Sequence, residues 1–422
     1  MTTLRVVESG DARAMTRLTR VHTRADRTFE QRVRRIVDGV RREGDRALTR
    51  MARRFDGLEG PLEVSRAEME AGADQAEPDV RRAIEQAARS IARVAFRQIP
   101  RHFDVETAPG VTVEQRVEPL ARVGCYVPGG RFPLPSSLLM TAVPARVAGV
   151  REVIVVCPRP EPAVMAAAIE AGVTRLFRIG GAHAIAALAY GTRSVPRVDK
   201  IVGPGNRYVA TAKAQIAGDL RDCAIDFYAG PTEIVVVAGA GNPEWVAADL
   251  VAQAEHDPDA RAILVTWSRT FAGRVAKAVS RRTRARSVAG RSLARHGAIV
   301  VTRSAVEAID VANRLAPEHL VVESEALTRR PLVAGAVFVG PYTAQAAGDY
   351  ATGSNHVLPT AGAARVRGGL SAADFVRVMS VQRITRAGLA SLAPTILPLA
   401  RAEGLDAHGE SVVTRMGKSD GA

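Results

Sequence analysis

The sequence predicts an α/β fold: two Rossmann-like parallel-sheet units with an N-terminal helical arm and a C-terminal helical tail. Three observations predict it. Apolar residues recur at helical spacing through the first part of the chain. From about Val117 onward, short β-branched runs alternate with helical stretches, the pattern of βαβ units. That alternation then repeats, and 422 residues are too many for one ordinary core.

In order along the chain, residues 27–56 read as helix, because Phe29, Val33, Ile36, Val37 and Val40 fall on one face with arginines opposite. Residues 78–98 continue the pattern through Val80, Ile84, Ala88, Ile91 and Val94. Strands are expected at 153–157, 175–179 and 200–202, with helices at 163–171 and 182–190 and a further helix running through Lys213. The second round has strands at 233–237, 262–266, 298–302, 319–322 and 336–339, and helices at 243–255, 270–279 and 305–315. Residues 371–379 and 387–403 read as closing helices, with His408 just beyond them. The expected division is a helical arm over 1–116, a first unit over 117–232, a second over 233–375 and a tail over 376–422.

Composition narrows the function. The net charge is +14, mostly arginine, which favours solubility and attracts anions such as phosphorylated cofactors. Aromatic residues are only 4%, too few for a base-stacking surface, and no basic stretch is interleaved with base-reading side chains, so no nucleic-acid partner is expected. Three cysteines, Cys125, Cys157 and Cys223, show no metal spacing and suit reduced thiols in a cytoplasmic protein. The N-terminus lacks an apolar signal core, and no apolar run is long enough to span a bilayer, so no membrane is expected.

Several side chains could carry chemistry. Gln253 and His256 lie three apart on an expected helix and so share a face, as a metal-ligand pair does and as many surface or core pairs do. Asp349 and His356 fall in a glycine-containing loop, and His408 is isolated near the C-terminus. Glu318 and His319 enter a strand. Adjacent strand residues point to opposite faces, so the two serve one site only at an edge or bend. Gly203-Pro204-Gly205-Asn206 lies between a strand and a helix, where a phosphate could approach the backbone or a tight turn could simply form. Gly239-Ala240-Gly241 has Glu244 where a dinucleotide fingerprint needs its third glycine, and reads as a turn. His183, after Gly180-Gly181, could touch a ligand or cap a helix.

Taken together, the segments 124–130 (Gly-Cys-Tyr-Val-Pro-Gly-Gly), 134–137 (Leu-Pro-Ser-Ser), 199–206 (Asp-Lys-Ile-Val-Gly-Pro-Gly-Asn), 229–233 (Ala-Gly-Pro-Thr-Glu), 253–256 (Gln-Ala-Glu-His), 313–320 (Asn-Arg-Leu-Ala-Pro-Glu-His-Leu) and 348–360 resemble the histidinol dehydrogenase family over nearly the whole chain. The resemblance implies a homodimer with shared active sites that oxidises L-histidinol to L-histidine through the aldehyde, with one Zn2+ per subunit and two NAD per turnover. It implies zinc ligation by Gln253, His256, Asp349 and His408, and an acid/base pair in Glu318 and His319. It also implies substrate contacts at Thr232, Gln253, His256, His319, Asp349, His356, Glu403 and His408, and NAD contacts at Tyr126, His183 and Asn206. The C-terminal tail is expected to complete the partner's site. The chain departs from the family pattern at His183, where glutamine is usual, at Thr232, where serine is common, and at Tyr228, where proline is often found. Relatives in the family oxidise other small polar alcohols, such as a sulfopropanediol, which is the alternative substrate class.

Overall fold

The computed structural model describes residues 4–19, 26–129, 133–219, 223–228 and 230–417. Gly130 and Ala229 of the motifs above lie outside the described residues. The described strands in chain order are β1 (Arg5–Glu8), β2 (Glu63–Val64), β3 (Phe103–Ala108), β4 (Val111–Pro119), β5 (Arg122–Tyr126), β6 (Glu152–Val156), β7 (Arg175–Phe177), β8 (Lys200–Val202), β9 (Ala224–Ile225), β10 (Glu233–Val237), β11 (Arg261–Thr266), β12 (Ala298–Val301), β13 (His319–Val322), β14 (Ala336–Val339) and β15 (Val376–Ile384).

The chain divides into two compact units, one of residues 1–97 with 120–375 and one of residues 98–119 with 376–422. The larger unit holds both parallel sheets, so the segments expected at 117–232 and 233–375 share one compact body. Its first sheet has the order β2-β7-β6-β5-β8-β9, parallel apart from β2, which is antiparallel to β7. Its second sheet has the order β1-β12-β11-β10-β13-β14 and is parallel throughout. Helices cover these sheets, which is why their central strands are continuous apolar runs: every residue of β10 is buried.

The first core gathers Ile154, Val156, Phe177 and Ile201 from the strands with Val33, Val37, Leu188 and Val209 from the helices Arg27–Glu43, Gly181–Tyr190 and Arg207–Asp219. The second sheet is packed on both faces. Ile234, Leu264 and Ile299 meet the helices Pro243–Ala254 and Arg269–Arg282 on one side, and Val235, Val265 and Val300 meet Ala305–Leu315 on the other. Full burial of each such side chain contributes about 1.5–3 kcal/mol. Gly124 within β5 has a packing reason: a Cβ there would lie 2.9 Å from Leu188 Cδ1.

Several expectations are corrected. The helix expected over 27–56 is two helices, Arg27–Glu43 and Asp45–Phe55, broken at Gly44, whose φ of 56° a side chain would disfavour. The N-terminal arm is not helical throughout. β1 adds an edge strand to the second sheet and β2 to the first, while β3 and β4 belong to the smaller unit. Residues 371–379 are not a helix: a 3-10 turn, Ala372–Phe375, leads into β15. The run Val376-Arg-Val-Met-Ser-Val-Gln-Arg-Ile384 pairs antiparallel with β4 along its whole length. In this smaller unit β15, β4 and β3 form an antiparallel sheet, followed by helices Arg386–Ala402 and Asp406–Met416. Among the described residues no helix is long and apolar enough to cross a membrane.

Candidate active site

The two parallel sheets reverse their winding at different places. In the first, β6 and β7 lie on one side of β5 and β8 and β9 on the other; in the second, β11 and β12 lie on one side of β10 and β13 and β14 on the other. Such reversals open crevices at strand ends. Chemistry-bearing residues collect at the carboxyl edge of the first sheet and at the amino edge of the second.

At the amino edge of the second sheet, Thr232 immediately precedes β10, which Glu233 begins, and Glu318 immediately precedes the neighbouring β13, which His319 begins. The helix Pro243–Ala254 connects parallel neighbours β10 and β11, so it runs back and delivers Gln253 and His256 to this same edge. The chain enters β13 through a left-handed turn at Ala316 (φ 47°) and then Pro317. That bend resolves the adjacency question, for Glu318 and His319 share one site. His319 Nδ1 lies 3.7 Å from Glu318 Oε2, and both side chains are buried.

A chain of hydrogen bonds joins these groups. Gln253 Nε2 donates to Thr232 Oγ1, and the Thr232 hydroxyl donates to Glu318 Oε2, each at 2.5 Å. The Glu233 amide donates to the same Glu318 oxygen at 2.9 Å. His319 Nδ1 donates to the Glu233 carbonyl at 3.2 Å, which leaves Nε2 as the lone-pair nitrogen of the neutral ring. Burial pushes the Glu318 carboxyl up to about 8, against the hydrogen bonds of Thr232 and Glu233, and holds His319 down at about 4, against the charge of Asp349. At neutral pH the pair is therefore a protonated carboxyl beside a neutral imidazole, not an ion pair.

The other two histidines are oriented in the same manner. His256 Nδ1 donates to the Ala252 carbonyl at 3.0 Å, and His356 Nδ1 to the Asp349 carbonyl at 3.1 Å, so each presents Nε2 as an acceptor. His356 Nε2 lies 3.5 Å from Ser137 Oγ. Burial lowers the His356 pKa, with Asp349 opposing that shift and His256 reinforcing it. Asp349 Oδ2 accepts from Gln345 Nε2 at 3.0 Å, and Gln345 is buried. Hydrogen bonds join Gln253, Thr232, Glu318 and the Glu233 backbone, and the charges of Asp349 and His256 are felt at His319 and His356.

The donor set suits a borderline divalent cation. Gln253 Oε1 and His319 Nε2 are buried and have no hydrogen-bond partner, a rare condition for polar atoms unless something else satisfies them. Among the described residues no three of His, Cys, Asp and Glu gather as a metal cage. The larger unit offers an amide oxygen, one imidazole and one carboxylate from the expected ligands. The fourth, His408, is exposed in helix Asp406–Met416 of the smaller unit, and Glu403 is exposed at the end of helix Arg386–Ala402.

At the carboxyl edge of the first sheet, Tyr126 ends β5 with its ring buried and its hydroxyl accepting from the Gly181 amide at 3.1 Å. Gly203 has φ 112°, and a Cβ there would collide with the Tyr126 carbonyl, so this turn requires glycine. Asp226 and Lys213 form a buried ion pair behind it: the Gly203 amide donates to Asp226 Oδ2 at 2.8 Å, and Lys213 Nζ donates to the Gly203 carbonyl at 3.0 Å. Asn206 is exposed and caps the following helix through Tyr208 N at 3.0 Å. His183 is buried, and its Nε2 pairs with Asp56 Oδ2 at 2.7 Å. The Gly239-Ala240-Gly241 segment is a turn whose first two amides donate to Glu323 Oε2, at 2.8 and 3.0 Å.

Sequence reasoning missed Gln345, Glu233, Ser137 and Asp56 as supporting groups. Glu233 accepts from the Ala361 amide at 2.9 Å and from Arg261 at 3.0 Å, tying the loop after His356 to β10. Gln345 had a readable signal, the i, i+4 spacing to Asp349. Asp56 had none, since its partner is 127 residues away.

A family model described as histidinol dehydrogenase matches residues 19–416. The histidinol dehydrogenase of Xylella fastidiosa (strain Temecula1) is 45% identical over 396 residues, covering 91% of this chain and 92% of that protein. That of Syntrophotalea carbinolica is 46% identical over 401 residues, covering 92% of each. The crystal structure of histidinol dehydrogenase from Elizabethkingia anophelis superposes with a TM-score of 0.92 at 32% identity, covering 98% of both chains.

Proposed function

This chain belongs to the histidinol dehydrogenase family and is an oxidoreductase of histidine biosynthesis, and we propose that it converts L-histidinol to L-histidine through L-histidinaldehyde, with zinc and two molecules of NAD. The observation that carries the reading is the pair of buried, unpartnered acceptors, Gln253 Oε1 and His319 Nε2, on one hydrogen-bonded network with Glu318.

Gln253, His256 and Asp349 would hold zinc, together with His408 from the tail of the second subunit in a homodimer. Bound zinc would anchor the substrate imidazole and amine and so orient the reacting carbon, with NAD as acceptor of both hydrides. Tyr126, Asn206 and the Gly180-Gly181 turn bearing His183 would hold the cofactor. His356, Thr232 and Glu403 would contact substrate.

His319 Nε2 takes the proton of the alcohol hydroxyl, and a bound NAD would accept the hydride from that carbon. Burial keeps the ring neutral across the neutral range, so the Nε2 lone pair is free to take that proton. Glu318, once ionised, takes a proton from the water that adds to the aldehyde carbon, while the proton held by His319 passes to the aldehyde oxygen and leaves the imidazole neutral again. His319 then takes a hydroxyl proton from the hydrate, whose hydride a second NAD would accept. One water enters, two hydrides leave, and the product is the carboxylate.

Steady-state NADH formation by the full-length, zinc-loaded protein, with L-histidinol beside a sulfonated propanediol, tests the reading. Saturable turnover of histidinol yielding two NADH per histidine is expected. Turnover of the diol alone would overturn it in favour of the other substrate class.

A further inference from the structure

Asp56 follows the helix Asp45–Phe55 in the N-terminal arm and reaches the end of the first sheet from far away in sequence. Its Oδ2 accepts two hydrogen bonds there, from His183 Nε2 at 2.7 Å and from the Gly180 amide at 3.0 Å. The next amide, Gly181, donates to the Tyr126 hydroxyl at 3.1 Å. Two successive amides of the turn are thus held by side chains from two other elements. The turn has little alternative conformation. Gly181 sits at φ 59°, and a Cβ on Gly180 would lie 2.9 Å from Pro158 Cγ and 3.2 Å from Asp56 Oδ1. Both His183 and Asp56 are buried, with side-chain exposures of 3% and 9%. A carboxylate at that depth is worth keeping only if hydrogen bonds satisfy its oxygens. Here the carboxylate oxygen has an amide as second donor.

We propose that Asp56 is a positioning residue for the dinucleotide: through His183 and the Gly180 amide it fixes the Gly180-Gly181 turn, and with it the Tyr126 phenol, in the cofactor-binding arrangement. This rests on the reading that NAD binds at the carboxyl edge of the first sheet. His183 then acts through the turn, since its Nε2 is engaged by Asp56. The phenol oxygen accepts from Gly181 and keeps its own proton to donate, so fixing the turn aims that donor.

The test uses full-length, zinc-loaded protein, with Asp56→Ala, His183→Ala and His183→Gln beside wild type. Three quantities are read: NAD affinity by calorimetry, the separate KM values for NAD and histidinol, and hydrogen–deuterium exchange at residues 180 and 181 without NAD. Loss of a charge-assisted buried hydrogen bond predicts an NAD Kd raised about 10- to 100-fold in Asp56→Ala. The histidinol KM stays within about twofold, and exchange at the two amides is faster by about tenfold or more. His183→Gln, whose amide can still donate to Asp56, recovers most of the affinity lost in His183→Ala.

An unchanged NAD Kd with faster exchange overturns the coupling, and unchanged exchange overturns the tether. Equal rises in both KM values with a lowered melting temperature reveal a purely structural role and also overturn it. Wild type that binds no NAD defeats the cofactor reading and this proposal together, whereas wild-type binding with an unaffected Asp56→Ala defeats this proposal alone. Should Asp56→Ala not fold, Asp56→Asn keeps an acceptor for Gly180 and removes the charge facing His183. A Kd raised about tenfold is then expected, and an unchanged Kd overturns the proposal.

Discussion

Replacing Thr232 with valine removes one hydroxyl from the middle of the Gln253–Thr232–Glu318 chain and keeps the side chain's shape. In the parent structure Glu318 Oε2 accepts two hydrogen bonds, from Thr232 and from the Glu233 amide, and both favour the ionised carboxylate against burial. A hydrogen bond to a charged group is worth about 1.5–3 kcal/mol, and each pH unit corresponds to about 1.4 kcal/mol. Losing the threonine donor therefore moves the Glu318 titration upward from about 8 by roughly one to two pH units. The ionised form is the one that can accept a proton from water, so activity in the aldehyde step rises with pH through this titration. At pH 8 the ionised share drops from about half to about a tenth or a hundredth, a loss of roughly 5- to 50-fold in rate. The assay is the pH–rate profile for oxidation of L-histidinaldehyde with NAD saturating, with zinc content measured on each sample. The expected result is an inflection displaced to alkaline pH in Thr232→Val and restored in Thr232→Ser. An inflection that stays in place, or moves to acid pH, refutes Glu318 as the base that activates water.

Four further outcomes follow. His319→Asn should retain zinc by metal analysis and lower kcat by about 10²–10⁴, the usual contribution of a positioned base; unchanged turnover with chemistry rate-limiting removes it from the mechanism. His256→Ala should lose both zinc and activity, and stoichiometric zinc in an active variant contradicts its role as ligand. Gln345→Met removes the donor that orients Asp349 Oδ2, so zinc affinity measured by chelator competition should weaken about 10- to 100-fold. Glu307, held down at about 2 by Arg303 and Ser9, stabilises the fold above its ordinary value of 4.5 and loses that contribution as pH falls toward 2. The gap in melting temperature between wild type and Glu307→Gln should therefore be present at pH 7 and close between pH 4.5 and 2.

What could be read from the sequence depended on how local the deciding physics was. β6, β7, β8 and β10 to β14 were legible because burial on two faces demands unbroken apolar runs, as in Glu233–Val237, whereas β5, at the centre of the first sheet, was not read as a strand. β15 was misread because its apolar residues, at 376, 378, 379, 381 and 384, follow no strict alternation, and pairing with β4 is what makes it a strand. β1 was invisible for the same reason: four residues become a strand only because β12 lies alongside. In the site, the residue types at 253, 256, 318, 319, 349 and 356 were legible, but their protonation was not. Burial of Glu318 and His319 and the Glu233 carbonyl that fixes the imidazole tautomer are properties of the assembled edge.

The opposite polarity of the two sheet edges bears on how a hydride transfer can be arranged in this fold. The proposed cofactor turns follow β5, β7 and β8, while the proposed acid/base pair stands at the start of β13; of the expected zinc ligands, Gln253 and His256 arrive at the end of a returning helix, and Asp349 lies not in the expected loop but in the short helix Gln345–Tyr350. Within the larger unit these two edges are joined directly. Asn355 Nδ2 donates to the Met140 carbonyl at 2.7 Å, and Ser137 Oγ approaches His356 Nε2 at 3.5 Å. The helix Pro135–Val147 that carries Ser137 and Met140 starts just beyond β5, so the loop bearing His356 rests on an element set by the first sheet. A carboxyl-edge crevice alone supplies backbone amides and helix N-termini suited to a dinucleotide. The amino edge of the second sheet supplies the buried acceptors that a dinucleotide site lacks. On the proposed reading, joining one edge of each kind brings the cofactor turns and the proton acceptor onto one framework. On this argument, breaking the Asn355–Met140 contact should impair hydride transfer more than the binding of either ligand.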